Sequence, residues 1–205
     1  NVKKRQLMIT LNNESVNIQP GAMQWYVGDV HQSTGLKGIG DTIKKFFNAQ
    51  VTGESTIKPQ YEGTGVIVTE PSYKHYIIED LDDWNGAMCV EDGLYCASET
   101  KVNLSTSMIK SVSGQTIGDE GLFNLCLKGS GKVVLECNVP QEELITIDLH
   151  NDTLKIDGSF AIAWSENLDF TVERSGKTLI GSAVSGEGLV NVYRGTGRVL
   201  IKPQI

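Results

Sequence analysis

Proline is scarce in this chain, with 5 residues in 205 against 22 glycines. That imbalance excludes a collagen-like or proline-rich extended tail and points to many tight turns. Aromatic residues are also few, at 7 %, and so few large rings are expected to serve packing. No apolar run approaches the roughly 20 residues that span a bilayer, and no secretory leader opens the sequence. A soluble, cytoplasmic globular protein is therefore expected.

Positive charge is in deficit. Eighteen Lys and Arg stand against 25 Asp and Glu, a net charge of −7. Residues 1–72 carry 7 basic and 6 acidic groups, residues 73–140 carry 5 and 10, and residues 141–205 carry 6 and 9. Proteins that hold phosphate backbones present a basic face. Here only Lys3-Lys4-Arg5 and Lys44-Lys45 cluster, so nucleic acid is not an expected partner.

Familiar site chemistry is also missing. Cys89, Cys96, Cys126 and Cys137 contain no C-x-x-C pair, which argues against a structural zinc site. Cys89 and Cys96 straddle Asp92-Gly93, a hairpin signal that would set them across a ladder. A disulfide between them is one option, and buried free thiols are the expected one in a reducing compartment. His31, His75 and His150 have no partner at metal-ligand spacing. Asp80-Leu81-Asp82-Asp83-Trp84-Asn85 puts Trp84 at a ligand position of a calcium loop and Asn85 at its turn glycine, so it reads as a solvated acidic turn. Ser185-Gly186-Glu187-Gly188 lacks the first glycine of a nucleophile elbow. No catalytic, cofactor-binding or metal-binding residue is assigned, and no cofactor is expected.

What the chain does have is repetition. Gly63-Thr64-Gly65, Gly129-Ser130-Gly131 and Gly195-Thr196-Gly197 are spaced by 66 residues and again by 66. Each precedes an aliphatic run: Val66-Ile67-Val68, Val133-Val134-Leu135 and Val199-Leu200-Ile201. A second signature opens each unit, an aliphatic-x-aliphatic triplet followed by Gly and then a large side chain. It reads Val16-Asn17-Ile18 to Gly21 and Met23, Met88-Cys89-Val90 to Gly93 and Tyr95, and Leu154-Lys155-Ile156 to Gly158 and Phe160. Two signatures in constant order, three times over, predict three like units: residues 1–72, 73–140 and 141–205.

Each unit reads as β. Ile145, Ile147 and Leu149 alternate with polar residues, as do Leu168, Phe170 and Val172, and a period of two buries one face of a strand. The Gly-x-Gly sites are expected at tight hairpins, where φ > 0 is required. One helix is predicted, an insertion over residues 35–47 in which Leu36, Ile39, Ile43, Phe46 and Phe47 recur at helical spacing beside Lys44 and Lys45. It reads as a lid on the β core, with contact to a membrane surface or partner as the alternative.

Gly21-Ala22-Met23, Ser185-Gly186-Glu187-Gly188-Leu189-Val190 and Gly195-Thr196-Gly197-Arg198-Val199 together resemble the Altered Inheritance of Mitochondria protein 24 family, and the likeness runs through nearly the whole chain. The resemblance implies three modules, each like the subunit of the tryptophan RNA-binding attenuation protein. That is an all-β fold of short double-stranded β-helix (TRAP-like) modules about a pseudo-three-fold axis. Mitochondrial members are associated with inner-membrane organisation, and the family supplies no catalytic residue to carry over.

A non-enzymatic β scaffold is therefore expected, binding a protein or small ligand at the seams between modules and self-associating as a homo-oligomer. Glu54, Glu120 and Glu187, which recur beside glycine ahead of each Gly-x-Gly, form the candidate binding surface. Convergent carboxylates would hold a cation, whereas turn carboxylates would accept backbone N–H bonds. The competing expectations are a small-molecule or metal-dependent enzyme of double-stranded β-helix type, and a peripheral membrane organiser acting through residues 36–47.

Overall fold

The computed structural model describes residues 4–33, 58–108, 110–111, 123–157, 160–174 and 189–203. Strands dominate them. The first third holds β1 (Met8–Ile18), β2 (Met23–Ser33) and β3 (Gln60–Thr69). The second holds β4 (His75–Asp80), β5 (Ala87–Val90), β6 (Tyr95–Glu99), β7 (Asn103–Met108), β8 (Lys110–Ser111), β9 (Phe123–Lys128) and β10 (Lys132–Cys137). The third holds β11 (Ile145–Asp157), β12 (Ala161–Ser165), β13 (Asp169–Arg174) and β14 (Leu189–Ile201). Two 3₁₀ turns, Leu81–Trp84 and Gln141–Glu143, are the helical elements among the described residues. The helix expected at residues 35–47 lies outside them.

The strands form a six-stranded sheet ordered β2-β3-β1-β6-β10-β4 and an eight-stranded sheet ordered β7-β9-β5-β12-β14-β13-β8, with β11 also paired to β14. All pairs are antiparallel except β13 with β8. β10 shows why such a sequence forms a strand: Val133, Leu135 and Cys137 are buried while Lys132 is exposed, the period of two that leaves one face wet. β12, between β5 and β14, is buried throughout. In β13 the expected alternation breaks. Thr171 is buried because its hydroxyl accepts from Arg194 Nη1 at 3.1 Å and donates to Glu173 Oε1 at 3.2 Å.

One pairing scheme recurs in every third. A long strand or strand pair carrying the Gly-x-Gly is flanked on both sides. β3 lies between β2 and β1, and β14 between β11 and β12 with β13. β9 and β10 lie between β5 with β4 and β7 with β6. The glycines therefore do not make hairpins, as their sequence suggested. Gly63 and Gly65 sit inside β3, Gly195 and Gly197 inside β14, and Gly129-Ser130-Gly131 leads from one sheet to the other. A Cβ at Gly63 would stand 2.0 Å from the Asp29 carbonyl oxygen, and one at Gly129 would stand 2.3 Å from that of Lys101. Both residues also have positive φ. Close backbone approach, not chain reversal, demands glycine there.

The strands opposite are bulged by asparagine. Asn13 (φ 56°) and Asn151 (φ 57°) interrupt β1 and β11, and each backbone N–H donates to the hydroxyl of the central threonine, Thr64 at 3.0 Å and Thr196 at 2.9 Å. Asparagine tolerates the left-handed region better than most side chains.

Among the described residues three apolar clusters form the core, and each draws on two of the three thirds. Ile18 and Ile67 pack with Ala97 of the second third. Trp84 and Leu135 pack with Ile162 and Ala163 of the third. Trp164 and Tyr193 pack with Cys89 and Cys126 of the second. Trp84 and Trp164 are buried as expected, but Trp25 is 47 % exposed on β2, so packing does not account for it.

Candidate binding seam

Two of the three first signatures lie where one third of the chain meets the next. Val16, Asn17 and Ile18 of β1 pair with Glu99, Ser98 and Ala97 of β6. Met88, Cys89 and Val90 of β5 pair with Ser165, Trp164 and Ala163 of β12. Aliphatic side chains flank the central residue of each triplet, so pairing at the edge also buries apolar surface in the neighbouring core. Ile18, Val90 and Ala163 have no exposed surface, and Ala97 has 1 %.

At the seam between the second and third thirds lies a partly open pocket of about 150 Å³. Cys89, Ser107 and Asn124 line one wall, and Trp164, Glu166, Leu168, Asp169 and Phe170 line the other. The second wall is stiffened by three rings: Phe170 stacks on Tyr193 at 4.9 Å between centroids, and Trp164 lies 5.1 Å from Phe170 and 5.5 Å from Tyr193. Burial holds the Tyr193 phenol protonated far above its ordinary range, with the nearby Glu91 carboxylate acting in the same sense. The ring backs Trp164 and Phe170 as packing and does not act as an acid.

A disulfide joins Cys89 to Cys126 across the directly opposed pair of β5 and β9. This corrects the sequence-based expectations for Cys89, which is neither opposite Cys96 nor free, whereas Cys96 and Cys137 are buried free thiols as expected. The repeat already contains the signal. The middle residue of the first signature pairs with the residue three before the Gly-x-Gly in every third: Asn17 with Gln60, Cys89 with Cys126, Lys155 with Val192. Burial, with Glu136 adding to it, pushes the Cys96 thiol up to about 12, so it is not a nucleophile at neutral pH.

Ion pairs hold this seam from outside. Lys128 Nζ meets Glu166 Oε1 at 2.5 Å, and Lys202 Nζ meets Glu91 Oε2 at 3.0 Å. Arg198 Nε donates to Asp148 Oδ1 at 2.8 Å and its guanidinium lies 5.9 Å from the Trp84 ring centre. That hydrogen bond holds the Asp148 carboxyl below its usual range. Trp84 Nε1 donates to Glu79 Oε2 at 3.0 Å, yet burial outweighs that bond and raises the Glu79 carboxyl. The acidic turn at residues 80–85 is thus a 3₁₀ turn with Asp80 as its N-cap, anchored by buried Leu81 and Trp84.

Glu54, Glu120 and Glu187 lie outside the described residues, as do Leu36, Ile39, Ile43, Lys44, Lys45, Phe46 and Phe47. The histidines stand on separate strands: His31 of β2 lies 3.1 Å from exposed Asp29, His75 is in β4, and His150 is in β11. Among the described residues no group of three His, Cys, Asp or Glu is placed to hold a metal ion. No described helix is long and apolar enough to cross a membrane.

Comparison with known proteins gives this architecture a family. The family model described as mitochondrial biogenesis AIM24 matches residues 1–204. An uncharacterized protein of Streptococcus pyogenes serotype M6 is 28 % identical over 196 residues, covering 92 % of this chain and 76 % of the relative. A crystal structure of a Streptococcus pyogenes protein, a Northeast Structural Genomics Consortium target, is similar with a TM-score of 0.70. It is 24 % identical, and the match covers 100 % of this chain and 90 % of that one. At that identity the likeness speaks for the fold alone.

Proposed function

We propose that this chain, which belongs to the mitochondrial biogenesis AIM24 family, is a non-enzymatic β scaffold that binds a small ligand or a short protein segment at the seam between its units. The recurrent pairing supports reading the chain as three TRAP-like modules about a pseudo-three-fold axis, with the first signature of each as the docking edge for the next. The observation that carries the binding reading is the cavity between the second and third thirds. Its walls set Trp164 and Phe170 beside Ser107, Asn124, Glu166 and Asp169, polar groups that can orient a small ligand by hydrogen bonds against the ring faces. Its sulfur is tied in a disulfide and Glu166 is paired with Lys128, so neither stands ready for nucleophilic or acid–base work.

The test is a two-dimensional amide spectrum recorded while titrating a panel of small aromatic amides and amines. Binding at the seam shifts the signals of Ser107, Asn124 and Phe170, and Asn124→Leu weakens the effect. Shifts confined to other regions, or chemical turnover of any panel member, would overturn the reading.

A further inference from the structure

Two seams of the chain are closed by the same three-residue pairing, and a third set of matching edges is open. Pairing across the central strands aligns the units. Trp25, Tyr26 and Val27 face Val68, Ile67 and Val66 of β3. Ala97 and Ser98 face Val134 and Val133 of β10, and Ala163 and Trp164 face Leu200 and Val199 of β14. Counted from the second glycine of each Gly-x-Gly, Trp25 therefore corresponds to Ala97 and Ala163, Tyr26 to Ser98 and Trp164, and Val27 to Glu99 and Ser165.

The corresponding positions have opposite fates. Ala97, Ser98, Ala163, Trp164 and Ser165 are buried, at most 5 % exposed, because a neighbouring triplet pairs with them. Trp25, Tyr26 and Val27 are 47 %, 43 % and 60 % exposed. Among the described strands β2 ends its sheet, with β3 as its neighbour there. The triplet left over is Leu154-Lys155-Ile156 on β11, whose described strand partner is β14. The two edges belong to different sheets and do not pair with each other within the chain. A run of three large side chains on an exposed edge strand invites another strand.

We propose that these edges form an interface between copies of this chain, with β11 of one copy adding to β2 of the next. The register of the two closed seams sets the third, placing Leu154 opposite Val27, Lys155 opposite Tyr26 and Ile156 opposite Trp25. The occupant is a second copy because the missing edge has the composition of the other two triplets and no unpaired counterpart elsewhere among the described strands. This inference rests on the reading of three like units and adds to it a surface and a partner.

Sedimentation equilibrium on the full chain over a range of concentrations tests it. The expected result is that the wild-type chain sediments as species above the 22.3 kDa of one chain. Tyr26→Lys sets two lysines opposite each other and removes a ring from the interface, weakening association by roughly tenfold or more. Adding Lys155→Glu to Tyr26→Lys restores an opposite-charge pair and recovers most of the assembly. Both residues are exposed, and circular dichroism confirms that the variants stay folded. A mass of 22.3 kDa at every concentration, or association that ignores Tyr26→Lys, would sink the interface. Either result leaves binding at the seam cavity to its own spectral test.

Discussion

Glycine at position 63 answers a contact, and the contact has a measurable cost. Replacing Gly63 or Gly129 with alanine forces a Cβ against a backbone carbonyl at positive φ, so either variant should lose about 2–4 kcal/mol of stability in urea unfolding. Gly21 and Gly93 also have positive φ but face open space, so their alanine variants should lose only about 1 kcal/mol. Sequence alone made φ > 0 legible at these sites but not its cause, since a hairpin turn and a strand crossing ask the same of the residue. Charge is also read at this scale. Arg194 donates to Glu173 and holds its carboxyl below the usual range, with Thr171 and Lys155 helping. A carboxyl depressed in the folded state stabilises while ionised, fully above the unfolded range, and the gain is lost as pH falls through the folded value. Between about pH 6 and about pH 3, Arg194→Gln should therefore lose less stability than the wild-type chain, as thermal melts at each pH would show.

At the scale of strands, the spacing of the two signatures carried most of the information. The aliphatic triplets could be placed on strands by their alternation, and two of the three prove to be edges that join one third of the chain to the next. The partner of Cys89 was hidden because the nearest hairpin signal drew attention to Cys96. Pairing to a central strand is nonlocal and becomes visible only when all three repeats are laid on one register. Trp25 escaped for the converse reason: composition says a tryptophan packs, and only topology shows that its edge lacks a neighbour among the described strands. The β5–β9 tie predicts that two thiols react with a disulfide reagent in denaturant alone and four after reduction. Replacing Cys89 and Cys126 together with alanine should cost about 3–4 kcal/mol for a closed loop of 37 residues.

For the molecule as a whole, shared cores matter more than separate units. Ala97 belongs to the cluster of the first third, and Ile162 and Ala163 to that of the second, so the thirds support one another and should not melt alone. Urea unfolding followed at Trp84 and at Trp164, in variants retaining one tryptophan each, should give superimposable curves. Separate midpoints would mean that the thirds behave as beads. The covalent tie is not shared so evenly. At the equivalent register the outer thirds have Asn17 with Gln60 and Lys155 with Val192, held only by noncovalent forces. Stretched between its termini, the molecule would thus yield from both flanks while its middle stayed looped, and a reductant would release about 120 Å of additional contour from that reserve.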